Sequence, residues 1–379
     1  MATMSSSNGS SKLAGSKEHD ISVGSENDGE DLSNFVALNL LMQRNLSMAL
    51  QAVLNLGIPD ILAEGGKPMS PEEILQQLPT KSTPAGPSTV SNLHRLLRPL
   101  VRVGFFSESL DGDKQLVYGL TGVSKWFIRG SQSNLVAFAD LYFSPVLLAG
   151  EPFVHEVIID ETTSAFEQAH GVSPYVFDKD PGFPVLIQKG MESFSNVFCR
   201  EAMETLQQPG VLDGVHTLVD VGGSHGHVIA AIVARNPQIQ GINFDLPHVV
   251  AKAPAIKGVQ HVGGNFFDSV PSGDAMFLKW VIHNYPDEEA IKILQSCFKA
   301  LPTKNGKVIL AEFVYNKHEK GTRAASLEYL DLQMLSVFQG SQERSKEQYQ
   351  TLLAAAGFSH TNFIDSTPRA TTLIEGVKE

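Results

Sequence analysis

Between Ser33 and Leu56 apolar side chains recur on every side of a helical wheel: Phe35, Val36, Leu38, Leu40, Leu41, Met42, Leu46, Met48, Leu50, Val53, Leu54 and Leu56. The run predicts a helix whose faces must nearly all be covered, by a partner chain or by the rest of its own. Ser70-Pro71-Glu72-Glu73 is a helix start, with Ser70 as cap and Glu73 completing a capping box, and the helix is expected to reach Leu78. A Pro/Gly/Ser-rich loop, Pro79 to Ser88, precedes a second helix from Val90 to Val103 with Leu93, Leu96, Leu97 and Leu100 at helical spacing. Pro99 is expected to kink or shorten that helix. Gly104-Phe105-Phe106 and Gln115–Leu120 then flank Asp111-Gly112-Asp113 as a hairpin. Helix, helix, hairpin is the pattern of a winged helix. From 133 to 208 the pattern is helical and aromatic-rich, broken by Pro145, Pro152, Pro174, Pro181 and Pro184.

After residue 216 the pattern changes. Leu218–Val221 reads as a buried strand, Gly222, Gly223 and Gly226 as a tight turn, and the apolar run from His227 as a helix. Gly241-Ile-Asn-Phe leads to Asp245, and Val259–Val262, Ala275–Lys279 and Lys307–Phe313 are further strands, with a helix from Asp287 to Leu301. Alternating strands and helices predict a parallel, doubly wound α/β sheet that binds ligands at the carboxyl ends of its strands.

The glycine turn narrows the ligand. A dinucleotide fingerprint starting at Gly222 needs glycine where Ser224 and His227 stand, and no phosphate loop of the G-x-x-x-x-G-K-[S/T] type occurs. Asp220 precedes the turn, and Asp245 sits where an acid holds ribose hydroxyls. Such a turn suits an adenosyl ligand with a positive sulfonium and no phosphate, S-adenosylmethionine. A nicotinamide and an unliganded strand–helix turn are the competing readings.

Composition excludes several classes. A net charge of −12 argues against nucleic acid and anionic membranes, and the basic groups of the second helix are only His94, Arg95, Arg98 and Arg102. Apolar residues make up 42% of the 379-residue chain, enough for a large core, yet no apolar run of about 18 residues exists to span a membrane. Two cysteines and the lack of a signal or transit pattern predict a cytoplasmic protein. Residues 1–31 set Lys12 and Lys17 against six acidic residues with few apolar groups, and are expected to be disordered.

Several stretches together carry a resemblance: Leu218-Val-Asp-Val-Gly-Gly, Gly241-Ile-Asn-Phe-Asp-Leu-Pro-His, His261-Val-Gly-Gly-Asn-Phe-Phe, Phe277-Leu-Lys-Trp-Val-Ile-His-Asn-Tyr-Pro-Asp-Glu-Glu, Gly306-Lys-Val-Ile-Leu-Ala-Glu and Gln342-Glu-Arg-Ser-Lys-Glu-Gln-Tyr. From about residue 33 to the end, the chain resembles the plant-type small-molecule O-methyltransferases of the caffeic acid and flavonoid group. The resemblance implies a winged-helix dimerisation domain over 32–130, a helical connector over 131–210 that forms part of the substrate pocket, and a Rossmann-like catalytic domain over 211–379. It implies a homodimer that methylates phenolic hydroxyls of small aromatic acceptors without a metal. It also implies roles: Gly222, Asp245, Asn265, Phe266, Lys279 and Ser195 toward S-adenosylmethionine, Met191 and Phe194 toward the acceptor, and His283 as general base with Glu312 and Glu343 beside it. The chain departs from the family pattern at Ser224-His225, where Gly-Thr is usual, at Asn265-Phe266, where Asp-Met is usual, and at Phe194, where the caffeic acid type has histidine.

The chemistry makes sense of such a set. A phenol has a pKa of about 10 and is a poor nucleophile while protonated. A histidine in reach removes its proton, and an acid on the other ring nitrogen fixes the tautomer. Methylation of an amine or another hydroxylated small molecule, and a non-catalytic winged-helix regulator, are the alternatives.

Overall fold

The computed structural model describes residues 32–78, 87–364 and 371–379. The expected disordered leader, most of the Pro79–Ser88 loop and the stretch 365–370 lie outside the described residues.

The N-terminal unit is built as its pattern dictates, with two differences. Helices Ser33–Asn55, Ile58–Gly65, Pro71–Gln77 and Pro87–Arg102 precede an antiparallel hairpin, β1 (Phe106–Leu110) and β2 (Leu116–Leu120), registered Phe106 to Leu120. Ser70 and Glu73 form the capping box, with Glu73 N–H donating to Ser70 Oγ (3.2 Å) and Ser70 N–H to Glu73 Oε2 (2.7 Å). Val53, Ile58, Ile74, Leu97, Leu100, Phe106 and Tyr118 make one core. The first difference is Pro99, which does not shorten its helix: Leu97 and Leu100 on either side are buried, and packing holds the last turn despite the missing N–H. The second is the first helix. Its C-terminal half buries Ala49, Val53 and Leu54, while Phe35, Leu38, Leu40, Met42 and Met48 are exposed and Leu41 is 77% exposed. The described residues do not supply the cover that the apolar pattern demands. Among the described residues no single helix is long and apolar enough to cross a membrane.

Short helices follow. Val136–Tyr142 lies against the long helix Phe183–Phe198 so closely that a Cβ on Gly190 would sit 2.9 Å from Leu141 Cβ. Ser193 Oγ locks the pair by donating to Asn134 O (2.6 Å).

The rest is a seven-stranded sheet. In chain order the strands are β3 (Thr217–Val221), β4 (Gln240–Asp245), β5 (Val259–Gly263), β6 (Ala275–Lys279) and β7 (Gly306–Glu312), then a short pair, β8 (Val314–Tyr315) and β9 (Arg344–Ser345), and finally β10 (His360–Ile364) and β11 (Thr372–Lys378). The spatial order is β10-β11-β7-β6-β3-β4-β5. Strands β3 to β7 are parallel, as expected. β11 is not: it runs antiparallel between β7 and β10, so the sheet is mixed at that edge. Alternate residues feed two cores. Met276, Leu278, Val308 and Leu310 pack with Ile293, Leu294 and Leu353, while Ala275, Phe277, Ile309 and Ala311 pack with Ile229, Ile232 and Leu206. After β3 the chain winds outward through β4 and β5, then returns to place β6 on the other flank of β3. Between β3 and β6 lies the topological switch point, where such sheets bind their ligands.

Candidate active site

Four strand ends and two loops converge on that switch point. Gly222 follows β3 with φ +76°, and its N–H donates to Phe244 O (2.8 Å). Before any ligand, the glycines serve the packing of the chain itself. A Cβ on Gly222 would lie 2.9 Å from Val281 Cγ2, and one on Gly223 2.2 Å from Asn243 Oδ1. The turn is thus pressed against β4 and the loop after β6. Ser224, at φ +52°, is a non-glycine residue in the left-handed region. Its N–H donates to Asp245 Oδ2 (2.8 Å), and Leu246 N–H donates to Asp245 Oδ1 (2.7 Å). Burial pushes the Asp245 carboxyl up, and those two N–H groups partly offset it.

Asp220, only 2% exposed, points an oxygen, Oδ2, that meets no donor among the described residues. Burial raises its pKa to about 7 against the pull of Lys279. Lys279 ends β6, donates to Ser195 Oγ (2.9 Å) and lies 4.0 Å over the Trp280 ring. Ser195 Oγ in turn donates to Met191 O (2.6 Å), so helix Phe183–Phe198 is tied to the strand edge. Asn265 opens the loop after β5, its Oδ1 accepting from Phe267 N–H (3.0 Å), and Phe266 meets Tyr285 edge-on at 5.7 Å. Acidic groups at the ends of β3 and β4, one with an orphaned buried oxygen, fit a ligand that is cationic at one end and carries a ribose. Asp245, Asp220, Lys279 and the Phe266–Tyr285 wall are residues that could hold such a ligand.

Beside this edge sits His283, 6% exposed, on the single turn Ile282–Asn284. Its Nδ1 is 2.8 Å from Glu343 Oε1, and Glu343 is itself buried. A carboxylate can only accept, so Nδ1 carries the proton and Nε2 presents its lone pair. Burial alone would push the imidazole down; Glu343 and Glu312 together outweigh it and hold its pKa above the usual value. Glu312 plays a different part from Glu343. Its Oε1 accepts from Val281 N–H (3.2 Å) and Ile282 N–H (2.9 Å), fixing the backbone just before His283. Burial raises the Glu312 pKa to about 7.

The acceptor wall is aromatic. Phe194 stacks on Phe138 (4.3 Å, 21° between planes) and meets Trp280 at 4.9 Å, and Trp280 stacks on Phe313 (5.4 Å, 12°). Met191, Phe198, Leu327 and Leu330 complete the cluster. Trp280 sits at φ +52°, an unusual conformation for a bulky residue, in the bend that turns β6 toward His283. Other aromatic residues of the 133–208 stretch, Phe166, Phe177 and Phe183, form a separate cluster away from this wall. Phe138, Trp280 and Phe313 join the wall from outside the Phe183–Phe198 helix. Trp280 adjoins Lys279 in a motif that signals it; Phe138 and Phe313 have no signal of their own. Among the described residues no three His, Cys, Asp or Glu side chains are grouped to hold a metal ion.

The fold and this edge define an adenosyl-binding group-transfer enzyme of the doubly wound α/β class. Comparison with known proteins sharpens this. The family model for the O-methyltransferase domain matches residues 154–359, and that for the O-methyltransferase dimerisation domain matches residues 38–130. A naringenin 7-O-methyltransferase of Oryza sativa subsp. japonica is 37% identical over 332 residues, covering 85% of this chain and 88% of that one. A caffeic acid 3-O-methyltransferase of Medicago sativa is 34% identical, with 87% and 90% covered. Among solved structures, human N-acetylserotonin methyltransferase in complex with SAM superposes with a TM-score of 0.75 at 18% identity, over 93% of this chain and 99% of that one. The chain belongs to the S-adenosylmethionine-dependent O-methyltransferase family.

Proposed function

We propose that this enzyme methylates a phenolic hydroxyl of a flat aromatic acceptor seated against Met191 and Phe194, with His283 as general base. The observation that carries the reading is the buried His283–Glu343 pair at 2.8 Å, which leaves Nε2 free to take a proton. When bound, S-adenosylmethionine supplies a methyl group on a sulfonium. The residues do the rest. Asp245, Asn265, Phe266, Lys279, Ser195 and Gly222 would hold the cofactor. The wall Phe138–Phe194–Trp280–Phe313 orients the ring and excludes water. His283 Nε2 accepts the hydroxyl proton, and Glu343 stabilises the imidazolium that results. Glu312 keeps the His283 turn in place through two backbone N–H groups.

Relatives that act on naringenin, reticuline and caffeic acid by their names support a phenolic acceptor. The exposed apolar half of the first helix and the matched dimerisation domain support a homodimer, for which sedimentation at micromolar concentration should return twice the 41.1 kDa chain mass. Two buried, free cysteines suit action in the reducing cytoplasm. The test is transfer of label from methyl-labelled S-adenosylmethionine to a panel of phenols and amines, with and without chelator. Label on phenolic oxygen, unaffected by chelator, is expected. Label confined to amines, or loss of transfer with chelator, would overturn the reading.

A further inference from the structure

Arg344 is among the largest fully buried side chains of the protein, at 0% exposure, although its charge partner Asp287 reaches the surface. Burying a guanidinium costs solvation that one ion pair seldom offsets, so its bonds point to what it is kept for. They converge on one turn. Nη1 donates to Ile282 O (3.0 Å) and Nη2 to Tyr285 O (2.7 Å), while Nε (2.9 Å) and Nη2 (2.8 Å) both reach Asp287 Oδ1. The carbonyls it grips lie on either side of His283. The residues before it grip the same turn: Gln342 N–H donates to His283 O (3.0 Å), and Glu343 takes the His283 ring. Glu343 is itself positioned from behind, its N–H donating to Asp331 Oδ1 (2.6 Å). β9, which starts at Arg344, is fixed to β8 through Val314.

We propose that Gln342-Glu343-Arg344 is a single template for His283, and that Arg344 is its positioning residue: the guanidinium fixes the turn's backbone so that the ring meets Glu343. Only a planar fork with donors in several directions spans Ile282 O, Tyr285 O and Asp287 at once; a lysine ammonium keeps the charge but cannot. The inference rests on the reading of His283 as base for its effect on rate, and stands apart from it for its effect on geometry.

The test uses full-length enzyme and two readouts. The first is NMR titration of the His283 ring, labelled with ¹⁵N-histidine and assigned by its loss in His283→Ala. Glu343, Glu312 and Lys279 are the charged groups that act on this ring. In Arg344→Lys the charge stays and the clamp opens, so the ring should drift from Glu343 and its pKa fall toward the ordinary value of about 6.5. The second is turnover. Arg344→Lys should lower kcat about ten- to a hundredfold, the scale of misplacing a reacting group by about 1 Å, with calorimetric affinity for S-adenosylhomocysteine unchanged. In a His283→Ala background the same substitution should cost nothing further. Should Arg344→Lys fail to fold, Asp287→Asn, at the exposed end of the clamp, should move the His283 titration in the same direction by less. An unmoved His283 titration in both variants, or an equal rate loss with and without His283, would overturn the template. Full turnover of His283→Ala would instead overturn the base assignment, and leave the titration to decide the template.

Discussion

The polar edge of the sheet and the aromatic wall meet where Lys279 lies over the Trp280 ring, but are held by opposite means. At the edge, direction is everything. His283 points because Glu343 takes Nδ1–H, Glu312 takes two N–H groups from the preceding loop, and Arg344 bonds the flanking carbonyls. At the wall, Phe138, Phe194, Phe198, Trp280 and Phe313 hold one another by stacked and edge contacts at 4.3–6.0 Å, which tolerate sliding and exchange of side chains. The difference teaches where each property is stored. On the proposed reading, the reaction depends on a few bonds that fail when one partner goes, and acceptor choice on shape and polarity, which one side chain can shift without unfolding anything.

Substitutions can break that contrast or sharpen it. The largest effect belongs to the edge: His283→Ala should lower turnover by about 10²–10⁴-fold, the contribution of a positioned base. Calorimetry on S-adenosylhomocysteine should detect no change, because Asp245 and Lys279 remain. Next comes Asp245→Ala, which removes a carboxylate that would hold ribose hydroxyls and that already anchors Ser224 N–H and Leu246 N–H. Cofactor affinity should fall by about 1.5–3 kcal/mol, the worth of a hydrogen bond to a charged group. Unchanged affinity would remove Asp245 from the cofactor site. Glu343→Gln should cost roughly tenfold in kcat, less than His283→Ala, since the base stays and only its charge partner goes. Glu343 raises the His283 pKa, so its neutral replacement should also move the acid limb of the pH–rate profile to lower pH. The smallest change in rate, with the clearest change in preference, is expected at the wall. Phe194→His places a polar ring against Phe138 and Trp280, and should favour caffeate over less polar phenols by about tenfold in relative kcat/KM. A fall in caffeate activity with other phenols untouched would contradict this account of the wall.

The same contrast explains what was readable in the sequence. Strand β3, its glycine turn and Asp245 lie within 29 residues of one another, and the period of the apolar pattern marks them locally. His283 follows β6 closely enough for the carboxyl-edge rule to place it. Glu343, 60 residues farther on, came only from the resemblance, because nothing local announces that a loop will return to a given histidine. Glu312 acts on the ring by its charge, in keeping with the flank that the resemblance implies, and its two hydrogen bonds to backbone N–H groups are what no sequence pattern announces. The wall was the least legible part. Its members come from the Val136–Tyr142 helix, the Phe183–Phe198 helix, and the ends of β6 and β7, and apolar pattern alone cannot say which of many phenylalanines share a face. The antiparallel run of β11 is likewise not marked in its sequence, because an apolar strand pattern does not say in which direction the strand enters the sheet.

The most direct measurement is the pH–rate profile of single-turnover methyl transfer by wild-type enzyme and His283→Ala, on an ordinary phenol and on a more acidic nitrophenol. The raised His283 pKa means that the imidazole is already protonated, and unable to accept, at pH values where a free histidine would be neutral. Wild-type rates on the ordinary phenol should therefore climb with pH through a value above about 6.5. His283→Ala should lose about 10²–10⁴-fold at neutral pH on that acceptor, and regain most of it on the nitrophenol, which ionises without help. Full activity of His283→Ala on the ordinary phenol at neutral pH would contradict the assignment of His283 as the base.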